Sequence, residues 1–342
     1  MSDLGFSGTT VRHGGALREA IARYGGAAED WLDLSTGVSP FALPLPAMDE
    51  EVWRRLPDPD MARQVARAAA RHYGGGAIPV ITPGSQAAIQ HLPDLARLAA
   101  PGASTVAIPG PTYGEYAAAF ARHGFRVNTV DGPGEAVEAD AVVLANPNNP
   151  DGRRLSPGDI AAFAQARGDR LTVVDEAFAD MHPEVSVVAR AGELPGLVVL
   201  RSFGKVFGMA GVRLGFAFAE TRLAMALAER LGPWAVSGPA LAIAAHAFAN
   251  PDRVAGQRAR IAAAHALTKE AILAAGCAIS GETALFFLLD VGDGAGWRDR
   301  LAERHILTRA FDHTPRALRI GLVADEMQAE RLAMALAAAR VD

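Results

Sequence analysis

Lysine is nearly absent from this chain: of the 33 lysine and arginine residues among 342, only Lys205 and Lys269 are lysines. Cysteine is scarcer still. The single Cys277 excludes an intrachain disulfide and a cysteine-cluster metal site, so no metal is expected. Beside Gly276 it fits a small buried hydrophobe. No stretch of about twenty residues is both apolar and uncharged, which gives no candidate membrane helix. The first 15 residues lack a basic region followed by an apolar run, so a signal peptide is not evident and a cytoplasmic location is expected. The net charge of -5, with both signs interspersed, offers no electrostatic ground for binding nucleic acid. Gly132-Pro133-Gly134 lacks the third glycine of a dinucleotide fingerprint, and Lys205 is followed by Val206 rather than the Ser or Thr of a phosphate-binding loop.

Half of the residues are hydrophobic, enough for a sizeable core in one large domain with an appendage, or in two domains. Short apolar runs at 80–81, 104–108, 126–130, 141–144, 171–174, 197–200 and 214–219 fit buried strands. Helical patterns over 86–99, 114–123, 157–167 and 178–191 separate most of them. This alternation predicts an α/β fold with a mostly parallel central sheet covered by helices. After Glu220 the pattern changes to long helices over 221–231, 238–249 and 251–275. A strand at 284–290, a helix at 296–304, a strand at 318–322 and a last helix ending at Arg340 follow. The expected division is a large domain over 41–240 and a smaller α+β domain over 241–342, with residues 1–40 packing on the latter.

Lys205 sits within the glycine-rich apolar stretch 201–216, Arg-Ser-Phe-Gly-Lys-Val-Phe-Gly-Met-Ala-Gly-Val-Arg-Leu-Gly-Phe. Burial disfavours a charged amine and makes it nucleophilic near neutral pH, the property that Schiff-base chemistry with a carbonyl requires. The plain alternative is a lysine snorkelling from the edge of the core. Other polar residues also follow predicted strands, where ligands of open parallel sheets gather. Gly84-Ser85-Gln86 opens a helix whose free amides suit a phosphate, or Ser85 is a simple cap. Asp175 ends Leu-Thr-Val-Val, where its carboxylate holds a pyridinium proton or caps the strand. Asn146–Gly152 and Ser202–Lys205 complete the set.

Asn-Pro-Asn-Asn-Pro-Asp-Gly (146–152), Asp-Glu-Ala-Phe (175–178) and Ser-Phe-Gly-Lys (202–205) with Arg213 eight residues later resemble pyridoxal-phosphate enzymes of the aspartate-aminotransferase fold, in the family's order and across most of the chain. The resemblance implies pyridoxal 5'-phosphate carried on Lys205, with Asp175 on the ring nitrogen, Tyr113 stacked on the ring and Asn149 on the ring hydroxyl. Gly84, Ser85, Gln86, Ser202 and Arg213 surround its phosphate, and Phe178 lies against the ring. Arg319 would grip a substrate carboxylate. Two groups within the family compete. His13-Gly14-Gly15, Arg18-Glu19-Ala20, Asp33-Leu34-Ser35 and Asp180 after Asp-Glu-Ala-Phe are similar to the threonine-phosphate decarboxylase group of cobalamin biosynthesis. The overall pattern also resembles histidinol-phosphate aminotransferases, and a catalytically silent cofactor-binding pathway partner is a third possibility.

The decarboxylase resemblance implies a small phosphorylated amino acid as substrate, its phosphate met by His13, Gly14 and Arg309, and a homodimer. Four positions depart from the family pattern: Gly37 replaces a substrate-facing Asn, Leu56 a Tyr that reaches the neighbouring subunit, Asp151 a Thr, and Phe178 the Tyr of the aminotransferases.

Overall fold

The computed structural model describes residues 13–341. The helices are α1 (Leu17–Tyr24), α2 (Glu51–Arg54), α3 (Pro59–Tyr73), α4 (Ser85–Ala99), α5 (Glu115–Arg122), α6 (Pro157–Arg167), α7 (Phe203–Val206), α8 (Thr221–Leu231), α9 (Gly238–Phe248), α10 (Pro251–Ala274), α11 (Gly294–Ala302) and α12 (Glu326–Val341). The strands are β1 (Leu32–Asp33), β2 (Val80–Thr82), β3 (Thr105–Pro109), β4 (Arg126–Val130), β5 (Ala141–Ala145), β6 (Leu171–Asp175), β7 (Leu197–Ser202), β8 (Gly215–Ala219), β9 (Ile279–Thr283), β10 (Phe286–Asp290), β11 (Ile306–Leu307), β12 (Arg309–Phe311) and β13 (Thr314–Gly321). Residues 1–12, which include most of the segment considered for a signal peptide, lie outside the described residues.

Seven strands form one sheet in the order β2-β8-β7-β6-β5-β3-β4. All neighbours are parallel except β8, which runs antiparallel to both β2 and β7. Successive side chains of a strand point to opposite faces, and β7 shows why two layers of helices are needed. Leu197 and Val199 pack with α3, α6 and α9, while Val198 and Leu200 pack with α4, α5 and α8. Each such fully buried aliphatic side chain contributes roughly 1.5–3 kcal/mol. A second sheet, in the order β12-β13-β10-β9, is antiparallel and packs on α10, α11 and α12. The short β1 pairs in parallel with β11, which ties the chain near Leu32 to Ile306. No helix among the described residues is long and apolar enough to cross a membrane.

Three differences from the sequence expectation have local causes. The helix predicted over 178–191 is instead three separate 3-10 turns, Ala179–Met181, Pro183–Val185 and Val188–Arg190. There the Glu176 carboxylate accepts hydrogen bonds from Val187 N and Ser186 Oγ, and Pro183 lacks an amide, so side chains replace the helical ladder. Helix α3 went unpredicted although its signals are plain. Asp58 accepts from Asp60 N, Pro59 opens the first turn, and Gly74 closes the last in the left-handed region. In the C-terminal part, β9 and β12 add edges to the two predicted strands.

Arg167, 3% exposed at the end of α6, staples the turn before β5 to the start of β6. Its guanidinium donates to the carbonyls of Ala136, Val137, Ala139 and Leu171 and to Thr172 Oγ1. Replacement by Met leaves those buried acceptors without donors. Arg167→Met is expected to lower unfolding stability by about 2–4 kcal/mol. Urea denaturation measures it, and a loss under about 1 kcal/mol would contradict the staple.

Candidate active site

The carboxyl ends of the parallel strands β5, β6 and β7 lie side by side at one edge of the large sheet. Asp175, the last residue of β6, is 4% exposed. Its Oδ2 accepts a 2.8 Å hydrogen bond from the Tyr116 hydroxyl, and its Oδ1 accepts one of 3.0 Å from Ala177 N. Burial raises its pKa, while Tyr116, the Ala177 amide and the Lys205 charge pull it back down. Lys205 stands one strand away in the single turn α7, with Nζ 5.4 Å from the centre of the Phe178 ring. Burial, and then the positive charge of Arg319, push its pKa down to about 8 against the upward pull of Asp175. A lysine with that setting yields its neutral, nucleophilic amine at a lower pH than a solvated lysine does.

An anion cradle lies beside it. Gly84 has φ +79, and a Cβ there would stand 2.8 Å from the Arg213 guanidinium. A Cβ on Gly215 would come within 2.6 Å of Ser85 N, at the first turn of the 15-residue α4. Both positions thus require glycine because backbone and guanidinium crowd together. Arg213 itself is in the left-handed region at φ 56, held by Nη1 donating to Ala210 O at 3.0 Å. Free helix amides, a guanidinium and the nearby Ser202 form a site suited to a phosphate. Tyr113 donates to Gln86 Oε1 at 3.1 Å, and burial, then the Glu115 charge, raise its pKa to about 12. Gln86 donates in turn to Glu115 at 3.0 Å, so its amide is occupied in holding Tyr113.

The opposite wall comes from the ends of the chain. Arg319 on β13 is 7% exposed, donates to Asn149 Oδ1 at 2.5 Å and to Ser35 O at 2.8 Å, and lies between the rings of Phe286 and Phe311. Two of its five N–H groups are used in these bonds, and its buried Nε has no partner. Arg309 is its cross-strand partner, so two guanidiniums stand side by side. Burial and then Arg309 push the Arg319 pKa down to about 9. His13 Nε2 pairs with Glu115 Oε1 at 3.0 Å. Gly14 packs so closely that a Cβ would stand 2.4 Å from Ser35 O, and Gly15 N donates to Ser35 Oγ at 2.7 Å. The two N-terminal motifs, His-Gly-Gly and Asp-Leu-Ser, are therefore one physical unit.

Sequence reasoning missed Tyr116, Glu115 and the Ser35 carbonyl. Tyr116 was findable in principle, since Tyr113 and Tyr116 stand three apart at the start of a helix. Ser35 O and Glu115 carried no signal, because their partners lie 284 and 102 residues away. Three departures acquire a setting. Asp151 accepts from Asn148 Nδ2 at 2.7 Å and Arg153 N at 3.0 Å, which fixes the turn before Gly152. A Cβ on Gly37 would meet the Phe178 and Phe286 rings at 2.9 and 3.0 Å, so those rings occupy the space of a side chain there. Leu56 is 65% exposed. No group of three or more candidate metal-ligating side chains occurs among the described residues.

Residues 29–336 match the family of aminotransferase class I and II, and the chain belongs to that family. It is 45% identical to a threonine-phosphate decarboxylase from Sinorhizobium sp over 96% of this chain and 98% of that protein. A second protein of that name, from Pseudomonas aeruginosa, is 43% identical over 95% and 97% of the two chains. Among solved structures, histidinol-phosphate aminotransferase from Sinorhizobium meliloti, in complex with pyridoxal-5'-phosphate, matches with a TM-score of 0.80 at 24% identity, covering 98% of this chain and 96% of that one.

The Lys205 setting has a direct consequence. The neutral amine is the nucleophile, and it becomes the dominant form as pH rises through about 8 rather than through the 10.5 of a solvated lysine. In cofactor-free protein, borohydride-trapped addition of a small aldehyde to Lys205 should rise with a midpoint near about 8. Mass spectrometry of the Lys205 peptide reads the midpoint, and a value near that of solvated lysine contradicts the burial argument.

Proposed function

We propose that this protein decarboxylates L-threonine O-3-phosphate to (R)-1-amino-2-propanol O-2-phosphate, the aminopropanol unit of cobalamin, with pyridoxal 5'-phosphate as cofactor. The observation that carries this choice is the near-full-length similarity, at 45% and 43% identity, to two proteins named threonine-phosphate decarboxylase. The geometry supports the same reading. The Arg213 guanidinium lies so close to Gly84 that no side chain fits there, beside the first turn of α4, and the Lys205 side chain makes no hydrogen bond among the described residues. These residues fit the cofactor.

When bound, pyridoxal phosphate supplies an electron sink for whichever Cα bond stands perpendicular to its ring. The chain's own residues decide the rest. Lys205 holds the cofactor and returns a proton to Cα, and Asp175 holds the ring nitrogen. Tyr113 and Asn149 would be the residues to hold its ring, Tyr113 by its face and Asn149 at its hydroxyl. Gly84, Ser85, Ser202 and Arg213 hold its phosphate, with Gln86 acting through Tyr113. Phe178 packs against Lys205, offering no phenol to the ring oxygen. Arg319 takes the substrate carboxylate with its remaining N–H groups. Arg309 and the unit of His13 and Gly14 take the substrate phosphate, so the substrate is held at both ends and the breaking bond is oriented. His13 is held through Nε2 by Glu115.

The same reading makes the protein a cytoplasmic homodimer, and the exposed Leu45, Trp53, Leu56 and Trp234 support the dimer. It also divides the chain into a cofactor-binding part over 41–240 and a smaller part over 241–342. The pairing of β1 with β11 supports placing residues 1–40 with the latter.

Purified protein loaded with pyridoxal phosphate is expected to release carbon dioxide from threonine phosphate. It is expected to form no glutamate from 2-oxoglutarate exchange with histidinol phosphate as donor. Glutamate without carbon dioxide favours the aminotransferase, and neither product with cofactor bound favours a silent partner. Arg309→Met should raise KM for threonine phosphate roughly tenfold or more, because a charge-assisted phosphate contact is lost. Cofactor trapped on Lys205 should be unchanged, and an unaltered KM removes Arg309 from the substrate site.

A further inference from the structure

Tyr113 has a place against the cofactor ring, but Tyr116, three residues on, has none. It is 2% exposed on the inner face of α5, in the cluster of Ile89, Leu92 and Val173. Its hydroxyl donates to Asp175 Oδ2 at 2.8 Å, one of two hydrogen bonds that fix this carboxylate. Its ring also stands edge-on to Tyr113, with centroids 5.4 Å apart and planes at 83°. One side chain therefore touches both the carboxylate that faces the ring nitrogen and the phenol that stacks on the ring. Burial, and then the Asp175 charge, hold the Tyr116 phenol well above its ordinary pKa, so it stays protonated and acts only as a donor.

We propose that Tyr116 is a positioning residue that, by donating to Asp175, keeps this carboxylate too weak a base to draw the proton off the pyridine nitrogen. This rests on the cofactor reading above. A buried carboxylate with both oxygens engaged is a weaker base than one with a single donor. Without the Tyr116 hydroxyl the proton between Asp175 and the ring moves toward Asp175. The ring then withdraws electrons less strongly, and the imine nitrogen attached to it becomes more basic. The plain alternative is a core tyrosine whose hydroxyl takes the nearest acceptor. That role would affect stability alone.

Tyr116→Phe separates the two, since it keeps the ring, the packing and the edge contact with Tyr113 and deletes one oxygen. In the holoenzyme, kcat for threonine phosphate decarboxylation should fall about tenfold or more while KM changes less than about twofold. The pH midpoint of the bound cofactor's absorbance change should move up by about half a unit or more. Site-specific 3-fluorotyrosine at position 116, a stronger donor of nearly the same size, should move that midpoint down, and this keeps the test open if Tyr116→Phe folds poorly. In an Asp175→Asn background, removing the hydroxyl should change neither quantity further. A native-like kcat and midpoint in Tyr116→Phe, or an unmoved midpoint with fluorotyrosine, overturns the proposal. A native protein that traps no cofactor on Lys205 overturns the cofactor reading itself, and that failure is seen before any variant is made.

Discussion

A single guanidinium holds three distant parts of the chain together. Arg319 on β13 donates to Asn149 in the loop after β5 and to Ser35 just past β1, and its flat faces lie against Phe286 and Phe311. Ser35 in turn anchors Gly14 and Gly15. The N-terminal segment, the loop after β5 and the C-terminal sheet therefore meet at one cation. The meeting is tight: a Cβ on Gly152 would stand 2.0 Å from Glu282 O, so the loop after β5 and strand β9 touch backbone to backbone. A planar fork of donors suits this junction because it bonds two carbonyl-type acceptors in its plane and still offers N–H groups to an anion.

Burying charge is unfavourable unless each charge finds a partner. Around this pocket Asp175, Lys205, Arg319 and Arg201 are all sequestered, and each partner set is different. Arg201, one residue before Ser202, is bound by Glu176 and Asp180, one residue and five residues after Asp175. That ion-paired layer behind β6 and β7 locks the spacing of the two strand ends that carry Asp175 and Lys205. Arg319 is bonded only to neutral oxygens, and Lys205 makes no side-chain hydrogen bond among the described residues; burial, and then the Arg319 charge, depress the pKa of its amine. The same layer explains why residues 178–191 coil into short turns rather than a helix: their backbone yields to the carboxylate and hydroxyl groups that serve Arg201.

Much of the large sheet was legible from residue order. Each predicted strand between residues 80 and 219 is present, since runs such as Leu171–Val174 are apolar on both faces and can only be buried between helices. The motif residues Gly84, Asp175 and Lys205 do converge, because parallel strands deliver their carboxyl ends to one edge. Helix α3 was legible through Asp58, Pro59 and Gly74 and was overlooked. The region after Asn250 was harder, because β9 and β12 are short edge strands with mixed polarity and gain their stability from cross-strand partners rather than from local pattern.

The sequence alone determined the fold class, the family resemblance and the apolar, glycine-rich setting of Lys205, because these depend on apolar periodicity and on motifs whose members lie close together along the chain. Only the tertiary structure decided what stands around them. Tyr116 behind Asp175, Glu115 beside His13, and the cross-strand pairing of Arg309 with Arg319 join residues 59, 102 and 10 positions apart. Such contacts follow from how helices and strands stack, and no local spacing encodes them.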